Sequence, residues 1–117
     1  LPTRKDIYKI TETLPLLQLN RNEQGHLRPP NGDEVTTIRF RKPGQIVKLH
    51  QKQHHQKLKK LMQEWQIPEY LRDYWPMIYY NEILACIPGY GICAGFYCDS
   101  GLEFTVNIEN PASIPEL

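Results

Sequence analysis

Eight basic side chains fall between Arg39 and Gln63 with no acidic residue among them: Arg39, Arg41, Lys42, Lys48, Lys52, Lys57, Lys59 and Lys60. The other 92 residues carry six positive and thirteen negative charges, so a +8 block sits on a background of −7. A net charge of +1 conceals this asymmetry. A one-sided field of this kind is the electrostatic footprint of a polyanion-binding face, nucleic acid above all. A solvated lysine-rich face would produce the same pattern. Charge alone leaves both readings open.

The remaining reactive side chains do not assemble into a familiar site. Cys86, Cys93 and Cys98 lie in an apolar stretch and read as small buried or half-buried thiols in a reducing compartment. Cys93 and Cys98 have no nearby second ligand pair, so a zinc site is not expected. His50 and His54 stand four apart, which on a helix would bring them to one face. No third ligand accompanies them, and with His55 they suit hydrogen bonding or stacking on RNA better than metal binding. Asp99-Ser100-Gly101 offers an acid and a hydroxyl but reads as a turn between strands. There is no phosphate-binding G-x-x-x-x-G-K-[ST] loop, and Gly89-Tyr90-Gly91 lacks the rest of a dinucleotide fingerprint. No catalytic residue, metal or cofactor is assigned to the chain.

The elements that must carry the basic block follow from patterning. The 117 residues suit one domain, and 23% charged with 10% aromatic residues is a globular composition. The longest apolar run, Ile83–Ile87, is far short of the roughly 20 residues of a membrane helix. Without a signal peptide at its start, the chain is expected to be cytoplasmic. It opens at Leu1, not Met, and is expected to be a piece of a longer protein.

Leu14–Leu19 is a short apolar run, and Asn20–Asp33 carries the turn chemistry of Gly25, Pro29, Pro30 and Asn31-Gly32. Val35–Phe40 alternates as a strand, and Pro43-Gly44 predicts a turn into a second strand, Gln45–Leu49, forming a hairpin with the first. Leu58, Leu61, Met62 and Trp65 make one apolar stripe of a helix over His54–Gln66, ended by Pro68. A short second helix follows, anchored by Tyr70, Leu71, Tyr74 and Trp75. Strands are expected at Met77–Tyr80, Ile83–Ile87, Ile92–Cys98 and Leu102–Glu109, with an irregular tail from Asn110. The class is α+β, with β strands flanking a central basic helix and a short second helix.

The run Lys57-Leu58-Lys59-Lys60-Leu61-Met62-Gln63-Glu64-Trp65-Gln66-Ile67-Pro68, then Leu71-Arg72-Asp73, Pro76 and Tyr80, resembles the C-terminal domain of the tRNA(Ile)-lysidine synthase family. The resemblance is strongest over residues 35–91. Where the family leads into this helix with glycines and an arginine, this chain has Gln53, His54, His55 and Gln56. The family's SGG-x-DS-type nucleotide loop has no counterpart here.

The resemblance implies that residues 1–117 are a single tRNA-binding module without chemistry of its own. The parent enzyme would use ATP (with Mg) in a separate domain to join lysine to the wobble cytidine of isoleucine tRNA with a CAU anticodon, forming lysidine. The module would grip the acceptor stem through Arg41, Lys42, Lys52, Lys57, Lys59, Lys60 and Arg72. Its layers would pack nearly perpendicular, like a β-sandwich domain of the phenylalanyl-tRNA synthetase β chain. An A-form stem suits such a grip, because its deep major groove excludes side chains and leaves phosphates and 2′-hydroxyls to be held. The alternative is a protein-interaction or assembly domain whose basic face binds an acidic partner. Self-association is left open.

Overall fold

The structure is a computed structural model and describes residues 7–9 and 16–109. In chain order the elements are β1 (Ile7–Lys9), β2 (Leu16–Leu27), β3 (Thr36–Arg39), β4 (Ile46–Val47), β5 (Gln56–Lys57), α1 (Leu58–Glu64), α2 (Glu69–Arg72), β6 (Met77–Tyr80), β7 (Ile83–Ile87), β8 (Gly91–Ile92) and β9 (Tyr97–Glu109). They form a three-stranded sheet β1-β2-β9, a four-stranded sheet β3-β6-β7-β8 and a two-stranded ribbon β4-β5. All pairings are antiparallel. The class is α+β. The expected tail from Asn110 lies outside the described residues, as do Leu14 and Pro15.

The four-stranded sheet is the central layer. Every residue of β6 is buried, and its side chains alternate between two cores. Met77 and Tyr79 join Leu58, Leu61, Met62, Ile67, Leu71 and Trp75 from the helical side. Ile78 and Tyr80 join Leu19, Leu27, Leu102 and Phe104 from the three-stranded sheet. A strand covered on both faces reads as a continuous apolar run, as Met77–Tyr80 does.

Several expectations from the sequence are corrected. Val35–Phe40 and Gln45–Leu49 do not form a hairpin. β3 pairs with β6, and β4 pairs with β5 across a loop of residues 48–55. Pro43-Gly44 does make a turn, closed by Gln45 N–H to the Lys42 carbonyl at 3.2 Å, with Gly44 at φ +72°. The chain leaving it is nevertheless drawn toward β5 and α1.

The first helix begins at Leu58 rather than His54, because Gln56 and Lys57 are held by β4 and the Leu58 N–H bonds the Gln45 carbonyl at 2.9 Å. His50 and His54 therefore share no helix face. The helix ends before Pro68, with Gln66 in the left-handed region at φ +63°. Ile67 N–H donates to Met62 and Gln66 N–H to Gln63, a Schellman closure that satisfies the last carbonyls. In the shorter second helix, Leu71 and Trp75 are buried while Tyr70 and Tyr74 are exposed, so only two of the four expected anchors reach the core.

Two expected turns lie inside strands. β2 continues through Gly25, and β9 runs through Asp99-Ser100-Gly101. Gly25 and Gly101 face each other at an irregular step of the pairing. A Cβ on Gly101 would land on the Leu27 carbonyl oxygen, and one on Gly25 would land on the Leu102 carbonyl. The glycines mark close backbone approach within a bulged ladder, not chain reversal. The single strand expected over Ile92–Cys98 is instead broken at Ala94-Gly95, where Gly95 at φ +92° lets the chain leave the central sheet for β9.

Candidate nucleic-acid interface

The basic block occupies β3, the turn after it, the 48–55 loop, β5 and α1. Its two arginines are engaged by carboxylates. Arg39 makes a paired contact with Glu82, at 2.9 and 3.2 Å, and its guanidinium lies over the Tyr79 ring. The Arg39 hydrogen bond holds the Glu82 carboxyl below its ordinary range. Arg41 Nε donates to Asp73 at 2.9 Å and lies against the Met62 sulfur. Arg72 Nε donates to the Ile67 carbonyl at 2.7 Å, fixing the bend between the two helices. Asp73, next to Arg72 in the chain, is bonded to Arg41 instead.

The lysines are different. Lys42, Lys52, Lys57, Lys59 and Lys60 are exposed and Lys48 is half-buried. Among the described residues, no carboxylate stands within ion-pair distance of any of the six. Glu64 does not neutralise Lys60. Arginine charges here are absorbed internally, and ammonium charges are left to solvent.

Local structure sets where those charges stand. Gln45 is a clamp: its side-chain amide donates to Tyr79 Oη at 2.6 Å and its Oε1 accepts Lys42 N–H at 3.0 Å. Its carbonyl also receives the first helical N–H of α1. The 48–55 loop is tied down at its root by the Leu49–Cys93 bridge, by His50 N–H to the Ile92 carbonyl and by Ala94 N–H to the Lys48 carbonyl. Beyond that root, residues 51–55 are all exposed. Lys57 ends β5 at the N-cap of α1, and Lys59 and Lys60 stand on that helix, whose stripe of Leu58, Leu61 and Met62 is buried. Loop and helix thus present their charges from a rigid footing.

Beside the loop is a cleft of about 480 Å³. Tyr97 stacks on His50, with ring centroids 4.0 Å apart and planes within 4°, and also on His26 at 5.0 Å and 9°. Trp65 stacks on Tyr90 at 5.0 Å. Lys52 contributes to the lining. The sequence singled out His50 only for hydrogen bonding or stacking on RNA and missed its stack on Tyr97, as well as His26 and Tyr90, because the long β2–β9 pairing and the Pro88-Gly89 turn bring these rings together from distant positions. Cys86 and Cys93 are buried and Cys98 is half-buried. Among the described residues, no three of His, Cys, Asp and Glu gather as a metal site.

Comparisons with known proteins give the family of the chain. Residues 36–107 match the family model described as the TilS substrate C-terminal domain. Similar proteins include the tRNA(Ile)-lysidine synthase of Legionella pneumophila strain Lens, 45% identical over 71 residues, covering 61% of this chain and 16% of that protein. Another is the synthase of Enterobacter sp. strain 638, 35% identical over 94 residues, covering 80% of this chain and 22% of its own length. The synthase of Coxiella burnetii is 42% identical over 73 residues, covering 62% of this chain and 16% of the relative. The chain thus spans about a fifth, or less, of the length of these relatives. The matched region contains the lysine-bearing loop, both helices and the whole central sheet, and by that match the chain belongs to the TilS substrate C-terminal domain family.

Proposed function

We propose that this chain is the tRNA-binding module of a tRNA(Ile)-lysidine synthase, gripping the acceptor stem of isoleucine tRNA with the CAU anticodon. The observation that carries the reading is the set of lysines that, among the described residues, have no carboxylate partner, running from the turn after β3 through the 48–55 loop to α1 in an otherwise acidic domain. Lys42, Lys52, Lys57, Lys59 and Lys60 supply point charges for phosphates. Arg41 and Arg72 support them by holding α2 against the loop and the helix bend, and reach RNA only at the edge of the grip. Such contacts position an RNA without reading its bases.

In this reading, the parent enzyme's ATP- and lysine-dependent chemistry takes place in a domain outside this chain, in the cytoplasm. The layering of two sheets with helices on one side is the feature that invites the parallel with the phenylalanyl-tRNA synthetase β-chain domain.

Filter binding of this chain to tRNA over a range of salt tests the proposal. Four or five phosphate contacts predict a log–log slope of magnitude roughly 3–5. Absence of binding at low salt would overturn it and favour an acidic protein partner for the basic face.

A further inference from the structure

The cleft beside the lysine loop has a chemistry that phosphate gripping does not use. Its lining includes Lys52 and two ring stacks, one of His50, Tyr97 and His26 with Tyr97 in the middle, the other of Trp65 and Tyr90. Tyr97 carries a histidine ring on each face, so the flat surface of that stack lies on the outer faces of His50 and His26, while Tyr90, 39% exposed, is backed by Trp65. The rings are also prealigned by stacking on one another. His26 Nδ1 donates to the Cys98 carbonyl at 3.0 Å, which fixes that ring and leaves its other nitrogen free. At about 480 Å³ the cleft is in the range of small-molecule sites, roughly 300–1,000 Å³.

Planar π surfaces beside an unpaired ammonium group are how proteins hold unpaired nucleotides: the base stacks, and the phosphate meets the cation. A paired stem cannot supply such a base, because its bases are already stacked on one another.

We infer that this cleft takes one unpaired nucleotide of the bound RNA, its base against the outer face of His50, which Tyr97 backs, and the Tyr90–Trp65 pair, and its phosphate on Lys52. This rests on the RNA-binding reading above and adds a second, non-helical element of the same RNA. The lysines of α1 hold duplex, and the cleft holds a nucleotide that has left it.

The test is a titration of this chain with a single-stranded RNA hexanucleotide, read by tryptophan fluorescence. Trp65 lines the cleft and Trp75 is buried beneath it, so a Trp65→Phe variant assigns the signal. Saturable quenching lost in Trp65→Phe is expected. His50→Ala and Tyr90→Ala should each weaken hexanucleotide binding roughly 5- to 150-fold, the range of one base–aromatic stack. Both variants should melt close to the parent and bind a blunt RNA duplex as the parent does. The inference is overturned if the hexanucleotide leaves the fluorescence unchanged, or if both variants bind it like the parent. It is also overturned if free AMP or CMP binds as tightly as the hexanucleotide, which would make the cleft a mononucleotide site. In each of these cases salt-dependent binding of tRNA would leave the stem-gripping reading standing, whereas loss of all tRNA binding would remove both.

Discussion

At the scale of single residues, burial decides which reactive groups are available. Packing pushes the Cys86 and Cys93 thiols from an ordinary value near 9 up to about 12, in each case chiefly because a thiolate would lose its water. Since the thiolate is the attacking species, both should be inert in the folded protein. Cys98 is half-buried on β9 and should be the first to react. Native iodoacetamide labelling followed by peptide mass spectrometry is expected to modify Cys98, with Cys86 and Cys93 labelled only after denaturation. The sequence placed these thiols correctly as buried or half-buried from their apolar neighbours. It could not show that Arg39 and Arg41 are neutralised, because their partners Glu82 and Asp73 lie 43 and 32 positions away.

At the scale of elements, local patterning was legible where an element is defined by its own residues. Met77–Tyr80 and Ile83–Ile87 have the expected bounds, and the stripe of Leu58, Leu61 and Met62 is buried as its spacing requires. The sequence misled where a distant strand decides. Gly25 and Asp99-Ser100-Gly101 have turn composition, yet each is held extended by the other's strand. Gly101→Ala should therefore destabilise by roughly 1–3 kcal/mol, because the added methyl meets a backbone carbonyl that cannot swing aside. A denaturant melt measures this, and an unchanged midpoint would show that the ladder can open there. Leu61→Ala should cost roughly 2–5 kcal/mol in the same assay, since Leu61 is 3% exposed in the helical core. Its tRNA affinity, measured below the melting transition, should stay near that of the parent.

At the scale of the molecule, two layers of core and one basic surface have separate sensitivities. Desolvation raises Tyr80, like the two buried thiols, to about 12. The folded state holds these protons more tightly than the unfolded chain does. The resulting stability is intact below the unfolded values near 9 and 10, and is lost as pH rises through about 12. Thermal melts between pH 8 and 12 should show that decline. The lysine share of the charge asymmetry was legible in sequence, whereas the pairing of Arg39 and Arg41 and the aromatic cleft were not, because tertiary structure gathers their partners. In the proposed function Lys57, at the N-cap of α1, and Lys59, in its first turn, face phosphates while Leu58, Leu61 and Met62 anchor the helix in the core. The direct measurement is the salt dependence of tRNA binding for the parent and for the Lys57→Glu/Lys59→Glu double variant. Folding should be nearly unchanged, since exposed substitutions usually fall within about 0.5 kcal/mol. Affinity at low salt should drop, and the log–log slope should shrink by roughly 1.5–2, the share of two lost phosphate contacts. A double variant that binds tRNA with the parent's affinity and slope would contradict the account.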